Sequence, residues 1–546
     1  MAKKTATPDL QIASYIKYAV FAIVIFYATI AQGAYFITPL VILNVFFLLN
    51  LAFSKRHVRF DFSLAILTGV FVIMAVSAAF ALSANAAMVE LLKYALFPLS
   101  YTYFCKQDDV GENRITKVFY AAFVLVMVFG LLGMAGLSPV DGMVTVIGGR
   151  LQSFFQYANT TALAMGIGVF YSTEKIAGRA GWAILAVLFF VALIFTLSRV
   201  AFVLFVPLYL LYVFRFVSFK IKAVSLGSVA ALAVLLFVID SRLMRISIFA
   251  PTLVERYISY FDALRIMLRH PLGIGLGNWQ FYQFPYQSAP YQVRFIHNFY
   301  LHVGLDGGFI AMFAIIALAC FALIKAKKDV HFYIGVFLLA GAFFEVYFNF
   351  GVIIMYFTFL LTRLGKTENA LPMLQKLRYV KYAAILPVIP LAILFVSNYY
   401  VNTGEALERA GNRAAAYQSF VTAHRINPFN DSLYLSRARM APTMENALDY
   451  LERANHANPW DTQVLFSLAQ GHVRMGNHLL AYIFADELLT IFPLSTANQD
   501  LMREAILLSD NEDWRRQRLQ ELDAQIAEIN NGINPLFRHI DADMRY

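Results

Sequence analysis

Long apolar runs recur along most of the chain, and they constrain its fold more than any other feature. Each is about 18–20 residues long, the length that an α-helix needs to cross a bilayer. The 546 residues are 60% hydrophobic and only 14% charged, whereas a soluble protein carries roughly 25% charged residues. We therefore predict an all-α, polytopic membrane helical bundle of about 12–13 spans, with a large external loop and a soluble α-helical repeat domain. The predicted spans are residues 13–31, 34–53, 63–82, 86–104, 116–136, 155–172, 181–197, 200–215, 222–240, 299–324, 331–348, 350–364 and 380–399.

The basic residues between the spans indicate which loops are cytoplasmic, because such loops collect Lys and Arg. Placing Lys3 and Lys4 in the cytoplasm puts the other basic loops on the same side, and the intervening turns are nearly free of lysine. With thirteen spans, the N-terminus is cytoplasmic, and loop 241–298 and the C-terminal tail lie outside. We predict a transmembrane domain, residues 1–400, and an extracytoplasmic domain, residues 401–546.

The C-terminal tail differs from the membrane part in charge and in periodicity. Residues 402–546 contain 13 Arg, no Lys and 19 acids, so this part is acidic. A Gly-Asn pair precedes a proline by 17 residues twice, at Gly411 and Pro428 and again at Gly476 and Pro493. This spacing resembles that of tetratricopeptide repeats, which are stacked helix pairs. Such stacks bind partners through a concave face, so we expect a protein partner here.

The segment 241–298 concentrates arginine between two apolar runs. It carries six arginines, two acids and no lysine. Lysine would serve if positive charge alone were needed, whereas the planar fork of arginine matches two oxygens of one phosphate. Residues 253–270 have the spacing of an amphipathic helix, with Arg265 and Arg269 on its polar stripe and Arg256 off it. The alternative role for Arg265 and Arg269 on this stripe is contact with anionic lipid headgroups.

A turn and a group of aromatic residues follow this helix. His270 and Pro271 end it, and the glycines of HPLGIGLGN at 270–278 allow the backbone to turn closely. These glycines predict a tight turn. A dinucleotide-binding site would require a strand before the glycines, and none is predicted there. The aromatic residues are expected at the membrane interface, or alternatively along a sugar site: Trp279, Tyr282, Tyr286 and Tyr291.

Several polar residues stand next to predicted spans. His297 and Asn298 come immediately before one, and a histidine beside fixed arginines can act as a base next to an anion site. The alternative for His297 is an interface histidine bonded to backbone. Arg150 precedes a helix that carries Asn159, and Arg199 stands at a turn between spans with no acid nearby. Arginine at a membrane edge is usually functional or ion-paired, although Arg199 could instead be a snorkelling anchor.

These stretches resemble the O-antigen ligase family of polysaccharide ligases and polymerases. The family pattern has an arginine-led amphipathic stretch, a His-Pro and glycine-rich turn, and a His-Asn pair ahead of a glycine, here Gly308. The resemblance covers most of residues 10–365, and the loop is its specific part. The chain departs from it with Phe261 where relatives often carry Trp, and with the added span and tail. The matching stretches are residues 150–164, 197–199, 256–265, 270–278 and 297–308.

The resemblance implies a polyprenyl-pyrophosphate-linked glycan donor, used on the outer face of the cytoplasmic (inner) membrane of a bacterium. It implies a glycan, lipid or protein as acceptor. His297 is then the expected catalytic base for the acceptor hydroxyl. The donor already has a good leaving group, so arginine can stabilise the departing pyrophosphate without a protonating acid. The expected pyrophosphate ligands are Arg199 and Arg256, with Arg150 and Arg265 in reserve, and the expected supporting residues are Asn298, Asn159 and Gly308.

The predicted outer loops contain no Asp-x-Asp motif and no His/Glu ligand cluster. We therefore expect metal-independent transfer with inversion, no cofactor and no nucleic-acid partner. A repeat-unit polymerase using the same donor is the nearest alternative, and the repeat tail favours transfer that involves a protein. A lipid-linked sugar transporter would place charges near the bilayer midplane and often shows inverted repeats. A catalytically inactive scaffold that presents the tail is the last alternative.

Overall fold

In the computed structural model the chain is an all-α polytopic membrane protein, as the apolar runs predict. The structure describes residues 8–54, 60–137, 145–147, 149–176, 181–218, 222, 251–364 and 380–538. Within these residues, five helices are long and apolar enough to cross a membrane: Phe62–Phe80, Asp109–Met134, Arg199–Phe216, Phe299–Lys325 and Tyr382–Arg409. The span predicted at 222–240 lies outside the described residues, except for residue 222. The total of thirteen spans therefore stays a prediction.

Other apolar helices coincide with the remaining predicted spans. The pair predicted at 331–348 and 350–364 forms two helices, but the first ends early and a 3₁₀ turn, Tyr347–Asn349, follows it. These helices are Pro8–Ile30, Ile37–Phe53, Ala84–Phe104, Ala158–Lys175, Gly181–Phe195, Val330–Gly341 and Gly351–Leu364.

One small hairpin departs from the all-helical expectation. Thr145–Ile147 pairs antiparallel with Arg150–Ser153. Thr, Val and Ile are branched at Cβ and favour extended backbone, and Ser153 and Gln156 then adopt positive φ of 51° and 52°. The chain therefore turns sharply between Arg150 and the helix Ala158–Lys175.

The chain divides into two compact units. The first comprises Met1–Phe71, Leu92–Ile246 and Ala314–Val388, and the second comprises Val72–Leu91, Ser247–Phe313 and Ile389–Tyr546. The domain boundary predicted between residues 400 and 401 stays a prediction.

The first unit packs its helices closely through small residues. Helix Ala158–Lys175 is buried along most of its length. A Cβ on Gly168 would lie 2.4 Å from the ring of Phe189, and one on Gly166 would lie 2.5 Å from the ring of Phe337. Small residues at such contacts let membrane helices approach each other closely.

The second unit contains the C-terminal helices, and consecutive helices pack against each other around apolar clusters. Gly411 and Gly476, from the repeated Gly-Asn pairs, both adopt positive φ (78° and 71°) before a helix. The sequence repeat thus recurs in backbone conformation, while its assignment to tetratricopeptide repeats stays a prediction. The helices are Val388–Arg409, Arg413–Ile426, Ser432–Met440, Met444–Ala457, Thr462–Arg474, His478–Ile491, Thr496–Leu507 and Glu512–Gly532.

Candidate functional site

The amphipathic helix predicted in the loop is present as Pro251–Arg269. Its Asp262 is fully buried, and the carboxylate accepts hydrogen bonds from the backbone N–H (2.9 Å) and hydroxyl (2.9 Å) of Ser288 and from the hydroxyl of Tyr291 (3.0 Å). The exposed guanidinium of Arg265 lies 3.7 Å from the same carboxylate. Arg265 therefore pairs with a residue that anchors the loop.

The apolar stripe of the same helix is exposed. Phe261 and Leu268 have 61% and 74% of their surfaces accessible, while Ile258 and Ile266 on the other side are fully buried. The helix thus packs through its other face, and the exposed stripe is typical of a helix that contacts lipid.

The glycine-rich turn, residues 270–278, packs against other segments of the second unit. Ile274 N–H donates to the carbonyl of Leu305 (2.7 Å). Gly275 has φ of 100°, and a Cβ there would lie 2.4 Å from the carbonyl oxygen of Phe80. Only glycine tolerates both conditions, so these glycines serve close backbone packing.

Gly308 lies inside the helix Phe299–Lys325 and forms a kink with φ of 79° and ψ of 179°. A Cβ at Gly308 would lie 2.5 Å from the carbonyl oxygen of Pro271. The same carbonyl accepts a hydrogen bond from the N–H of Phe309 (3.0 Å). Gly308 therefore lets the glycine-rich turn approach the helix that follows His297.

His297 and Asn298 stand at the start of that helix. The side-chain oxygen of Asn298 accepts from the N–H of Leu301 (3.1 Å), and its backbone carbonyl accepts from the N–H of His302 (2.9 Å). Asn298 thus caps the helix. The carbonyl of His297 accepts a hydrogen bond from the hydroxyl of Tyr260, which belongs to helix Pro251–Arg269.

Glu255 connects two of the predicted site residues. Burial raises the pKa of its carboxyl above the ordinary value, and electrostatic interaction with His297 and Arg256 acts in the opposite direction. All three side chains are half-buried. The helix Pro251–Arg269 carries Glu255 and Arg256 and bonds through Tyr260 to the backbone of His297. A carboxyl, a guanidinium and an imidazole group, which suit proton transfer and anion binding, are therefore held by connected segments of the second unit.

Arg150 and Asn159 also come together, in the first unit. Arg150 Nη2 donates to Asn159 Oδ1 (3.0 Å), and Asn159 Nδ2 donates to Glu345 Oε1 (2.7 Å). The other oxygen of Glu345 accepts from the hydroxyl of Tyr157 (2.6 Å). Because Arg150 Nε also donates to the carbonyl of Thr196 (3.0 Å), this network fixes the turn just before Arg199.

Arg199 begins the helix Arg199–Phe216 and is half-buried. Leu197 has a positive φ of 51°, which gives the sharp turn that the sequence predicts between the two apolar runs. The predicted site residues thus fall into two groups. Arg150, Asn159 and Arg199 lie in the first unit, and Arg256, Arg265, His297, Asn298 and Gly308 lie in the second.

One group of side chains in the described part of the chain offers three metal-type ligands. Glu90, His302 and Asp306 are buried, and one ligand atom from each lies within 4.8 Å of the others. His302 Nε2 is 3.4 Å from Asp306 Oδ2 and 3.8 Å from Glu90 Oε2. Asp306 Oδ1 also accepts from the N–H of Gly277 (3.0 Å).

The loop aromatics pack inside the second unit. Trp279 is 1% exposed and donates through Nε1 to the carbonyl of Val293 (3.2 Å). The ring of Tyr282 stacks on Trp460 of the C-terminal helices, with centroids 4.8 Å apart. Trp279 and Tyr282 therefore hold the loop together and join it to the C-terminal helices.

Sequence reasoning gave no role to the acids Glu90, Glu255, Asp306 and Glu345. Three of them carried a signal that the sequence analysis did not use. Glu90, Asp306 and Glu345 fall within predicted spans, where an acid is costly and needs a partner. His302 and Asp306 are four residues apart, which puts them on one face of a helix.

Comparison with known proteins gives a partial match. No curated protein and no solved structure matches the chain. Residues 184–316 match a family model described as O-Antigen ligase. This stretch includes Arg199, Arg256 and His297 and is well under half of the chain. The match supports the O-antigen ligase family for this part of the protein, and with it a ligase-like or polymerase-like function in membrane glycan processing.

Proposed function

We propose that the protein is a membrane glycosyltransferase that moves a glycan from a polyprenyl-pyrophosphate carrier to an acceptor hydroxyl. In this proposal it acts as a polysaccharide ligase or a protein O-glycosyltransferase on the outer face of a bacterial cytoplasmic membrane. The observation that carries the proposal is the helix Pro251–Arg269, which carries Glu255 and Arg256 and bonds through Tyr260 to the backbone of His297. These residues lie within the stretch that matches the O-antigen ligase family.

The proposed chemistry needs a base for the acceptor and positive charge for the leaving group. His297 takes the proton of the acceptor hydroxyl, and the acceptor oxygen bonds to the anomeric carbon of the donor sugar. The bond from that carbon to the pyrophosphate breaks, and the polyprenyl pyrophosphate leaves with the electron pair. Arg256 stabilises the negative charge on the departing group. Attack opposite to the leaving group inverts the anomeric centre, and no metal takes part at the phosphates.

Glu255 is proposed to assist His297. A carboxylate beside an imidazole stabilises the imidazolium that forms when the acceptor proton is taken up. Glu255 and Arg256 lie on the helix Pro251–Arg269, whose Tyr260 bonds the carbonyl of His297. This helix thus carries Glu255 and Arg256 and bonds to the backbone of His297. The connection favours catalysis because it holds the reacting groups in a fixed orientation.

The remaining arginines are assigned secondary roles. Arg199 is proposed as a second pyrophosphate ligand. Arg150 is proposed to position the turn before Arg199, because its guanidinium already donates to Asn159 and to the carbonyl of Thr196. Arg265 is the weakest of the four as a phosphate ligand, since it is exposed and pairs with Asp262.

The C-terminal helices are proposed to bind the acceptor or a protein partner, as helical repeat stacks do. They are proposed to lie outside the membrane, on the same side as the loop. The stacking of Tyr282 on Trp460 is the observation behind this assignment, because it joins the loop to the C-terminal helices in one unit.

The test is transfer by the purified full-length protein in detergent. A lipid-pyrophosphate oligosaccharide is supplied with a lipid-core acceptor or a protein acceptor, and the products are separated by mass. Arg256→Ala is expected to lower kcat by about 100-fold or more, and Arg256→Lys should restore only part of it because lysine lacks the planar fork. Arg269→Ala is the matched control. Arg269 lies on the same helix, is exposed and stacks over Tyr286 (5.5 Å).

The products also separate the candidate functions. Sugar on the lipid core or on the protein identifies a ligase. Longer glycans on the lipid carrier identify a repeat-unit polymerase and would correct the acceptor in this proposal. Equal turnover in the wild type, Arg256→Ala and Arg269→Ala would remove Arg256 from the site. Absence of any product with every donor and acceptor would leave a transporter or scaffold and overturn the proposal.

A further inference from the structure

Glu90, His302 and Asp306 form a buried cluster that the proposed transfer reaction does not use. His302 and Asp306 lie one turn apart on the helix Phe299–Lys325, and Glu90 belongs to the helix Ala84–Phe104. All three residues are at most 6% exposed. Imidazole and carboxylate groups brought together from two helices in this way are common ligands of divalent metals.

The distances suit a metal ion. Metal bonds to imidazole nitrogen and carboxylate oxygen are about 2.1 Å long. His302 Nε2 lies 3.4 Å from Asp306 Oδ2 and 3.8 Å from Glu90 Oε2. An ion bonded to these atoms would make ligand–metal–ligand angles of about 110° and 130°, which lie close to the tetrahedral range.

The charges also suit a divalent ion. Buried charges are paired or coordinate metals, so two carboxylates in a buried site favour a divalent cation. Imidazole favours a transition metal over Mg²⁺ or Ca²⁺.

The surroundings provide orientation and space. Asp306 Oδ1 accepts a hydrogen bond from Gly277 N–H (3.0 Å). Such contacts orient a metal-binding carboxylate. A small cavity lined by Glu90, His302 and Gly277 adjoins the cluster. It leaves room for about one water molecule as a further ligand.

We propose that Glu90, His302 and Asp306 bind a divalent transition-metal ion of the Zn²⁺ or Mn²⁺ class. The ion is structural and does not take part in the transfer reaction. It fixes the start of the helix that carries Asn298 to the glycine-rich turn and to the helix of Glu90. The proposal rests on the cluster alone, so it stands whether or not the protein transfers glycans.

The test uses the full-length protein in detergent, stripped with EDTA and then equilibrated with Zn²⁺, Mn²⁺ or Mg²⁺. Bound metal is measured by elemental mass spectrometry after desalting, and Tm by thermal unfolding. The wild type is expected to retain an equimolar amount of Zn²⁺ or Mn²⁺ with a higher Tm, and little Mg²⁺. Glu90→Gln and Asp306→Asn should each weaken binding by more than about tenfold.

The matched control is His331→Gln. His331 Nδ1 lies 3.5 Å from Asp329 Oδ1. This pair offers an imidazole and one carboxylate, and among the residues that the structure describes it belongs to no group of three metal-type ligands. The control should bind metal as the wild type does. If the cluster variants fail to fold, Co²⁺ added to the stripped wild type reports binding through its visible absorption, which differs between bound and aqueous ion.

Two results would overturn the proposal. One is a wild type that retains no metal after desalting, with no Co²⁺ spectrum and a Tm that EDTA leaves unchanged. The carboxylates would then be balanced by cationic side chains such as Arg294, which lines the same cavity. The other is metal retained equally by the wild type, Glu90→Gln and Asp306→Asn, which would place the ion elsewhere.

Discussion

Each compact unit contains a group that combines arginine with a carboxyl group, and the two groups differ in burial and in bonding. In the first unit, Glu345 is fully buried, and its two oxygens accept from Asn159 and Tyr157. In the second unit, Glu255 is half-buried beside Arg256 and His297, and burial raises the pKa of its carboxyl. The two groups thus differ at the carboxyl group, which is buried and bonded through both oxygens in the first unit and half-buried in the second.

The difference in burial between the two carboxyl groups indicates which arginine to assign to the proposed transfer reaction. A buried carboxylate with each oxygen bonded specifies one geometry, and its loss destabilises the fold. A half-buried carboxyl group near a histidine can exchange protons and admit an anion. We therefore propose a structural role for the group with Glu345 and a catalytic role for the group with His297.

The largest effect is expected for His297→Ala. Loss of the base should lower kcat for glycan transfer by roughly 100- to 10,000-fold. The side chain is half-buried, and the hydrogen bond from Tyr260 goes to the backbone carbonyl, which alanine retains. Tm should therefore change little. The measurements are product formation at saturating donor and thermal unfolding of the same preparation.

His331→Ala is the control for this variant, because His331 also lies next to a carboxylate but has no part in the proposed site. It should keep wild-type kcat. A fall in Tm that matches the loss of activity in His297→Ala would instead make His297 structural, and the division between the two groups would fail.

The next effect is a loss of stability in Glu345→Ala. The change removes the acceptor for the hydroxyl of Tyr157 and for the amide of Asn159. A buried donor left without an acceptor costs about 1–3 kcal/mol, and because both donors are on half-buried side chains, the free energy of unfolding should fall by roughly 2 kcal/mol. The measurement is thermal or denaturant unfolding in detergent, in the absence of substrate.

Glu345→Gln sharpens this test because glutamine keeps one acceptor oxygen at nearly the same place. It should lose less stability than Glu345→Ala and retain most of the transfer activity. If Glu345→Gln folds normally but loses kcat as strongly as His297→Ala does, the first group is catalytic as well.

The sequence predicts the elements of this protein better than their contacts. The apolar runs predict most of the described membrane helices, and the amphipathic helix expected at 253–270 is present as Pro251–Arg269. Runs of this kind do not indicate which helix faces meet. Glu345 and Asn159 are 186 residues apart, and no periodicity in the sequence relates them.

For the candidate site, too, the sequence predicts the residue types better than it predicts their contacts. A guanidinium suits a phosphate wherever it occurs, so residue type alone gave Arg265 the same expected role as Arg150. Only the contacts separate them, because Arg265 is exposed beside Asp262, whereas Arg150 donates to Asn159 and to the carbonyl of Thr196. Glu255 was missed because burial, which raises its pKa, cannot be read from its neighbours in the chain.

The smallest effect is expected for Glu255→Gln, in the pH dependence of stability. Burial raises the pKa of Glu255 above its ordinary value of 4.5. The folded protein therefore holds this proton more tightly than the unfolded chain does. The resulting stabilisation is complete below pH 4.5 and is lost as the pH rises through the raised pKa. Glutamine cannot ionise, so Tm of Glu255→Gln minus Tm of the wild type should become more positive between acidic and neutral pH.

Glu528→Gln, at an exposed position, should show a difference that stays constant. A difference for Glu255→Gln that falls with pH would mean that His297 and Arg256 outweigh burial, and the second group would then resemble the first as a stabilising network.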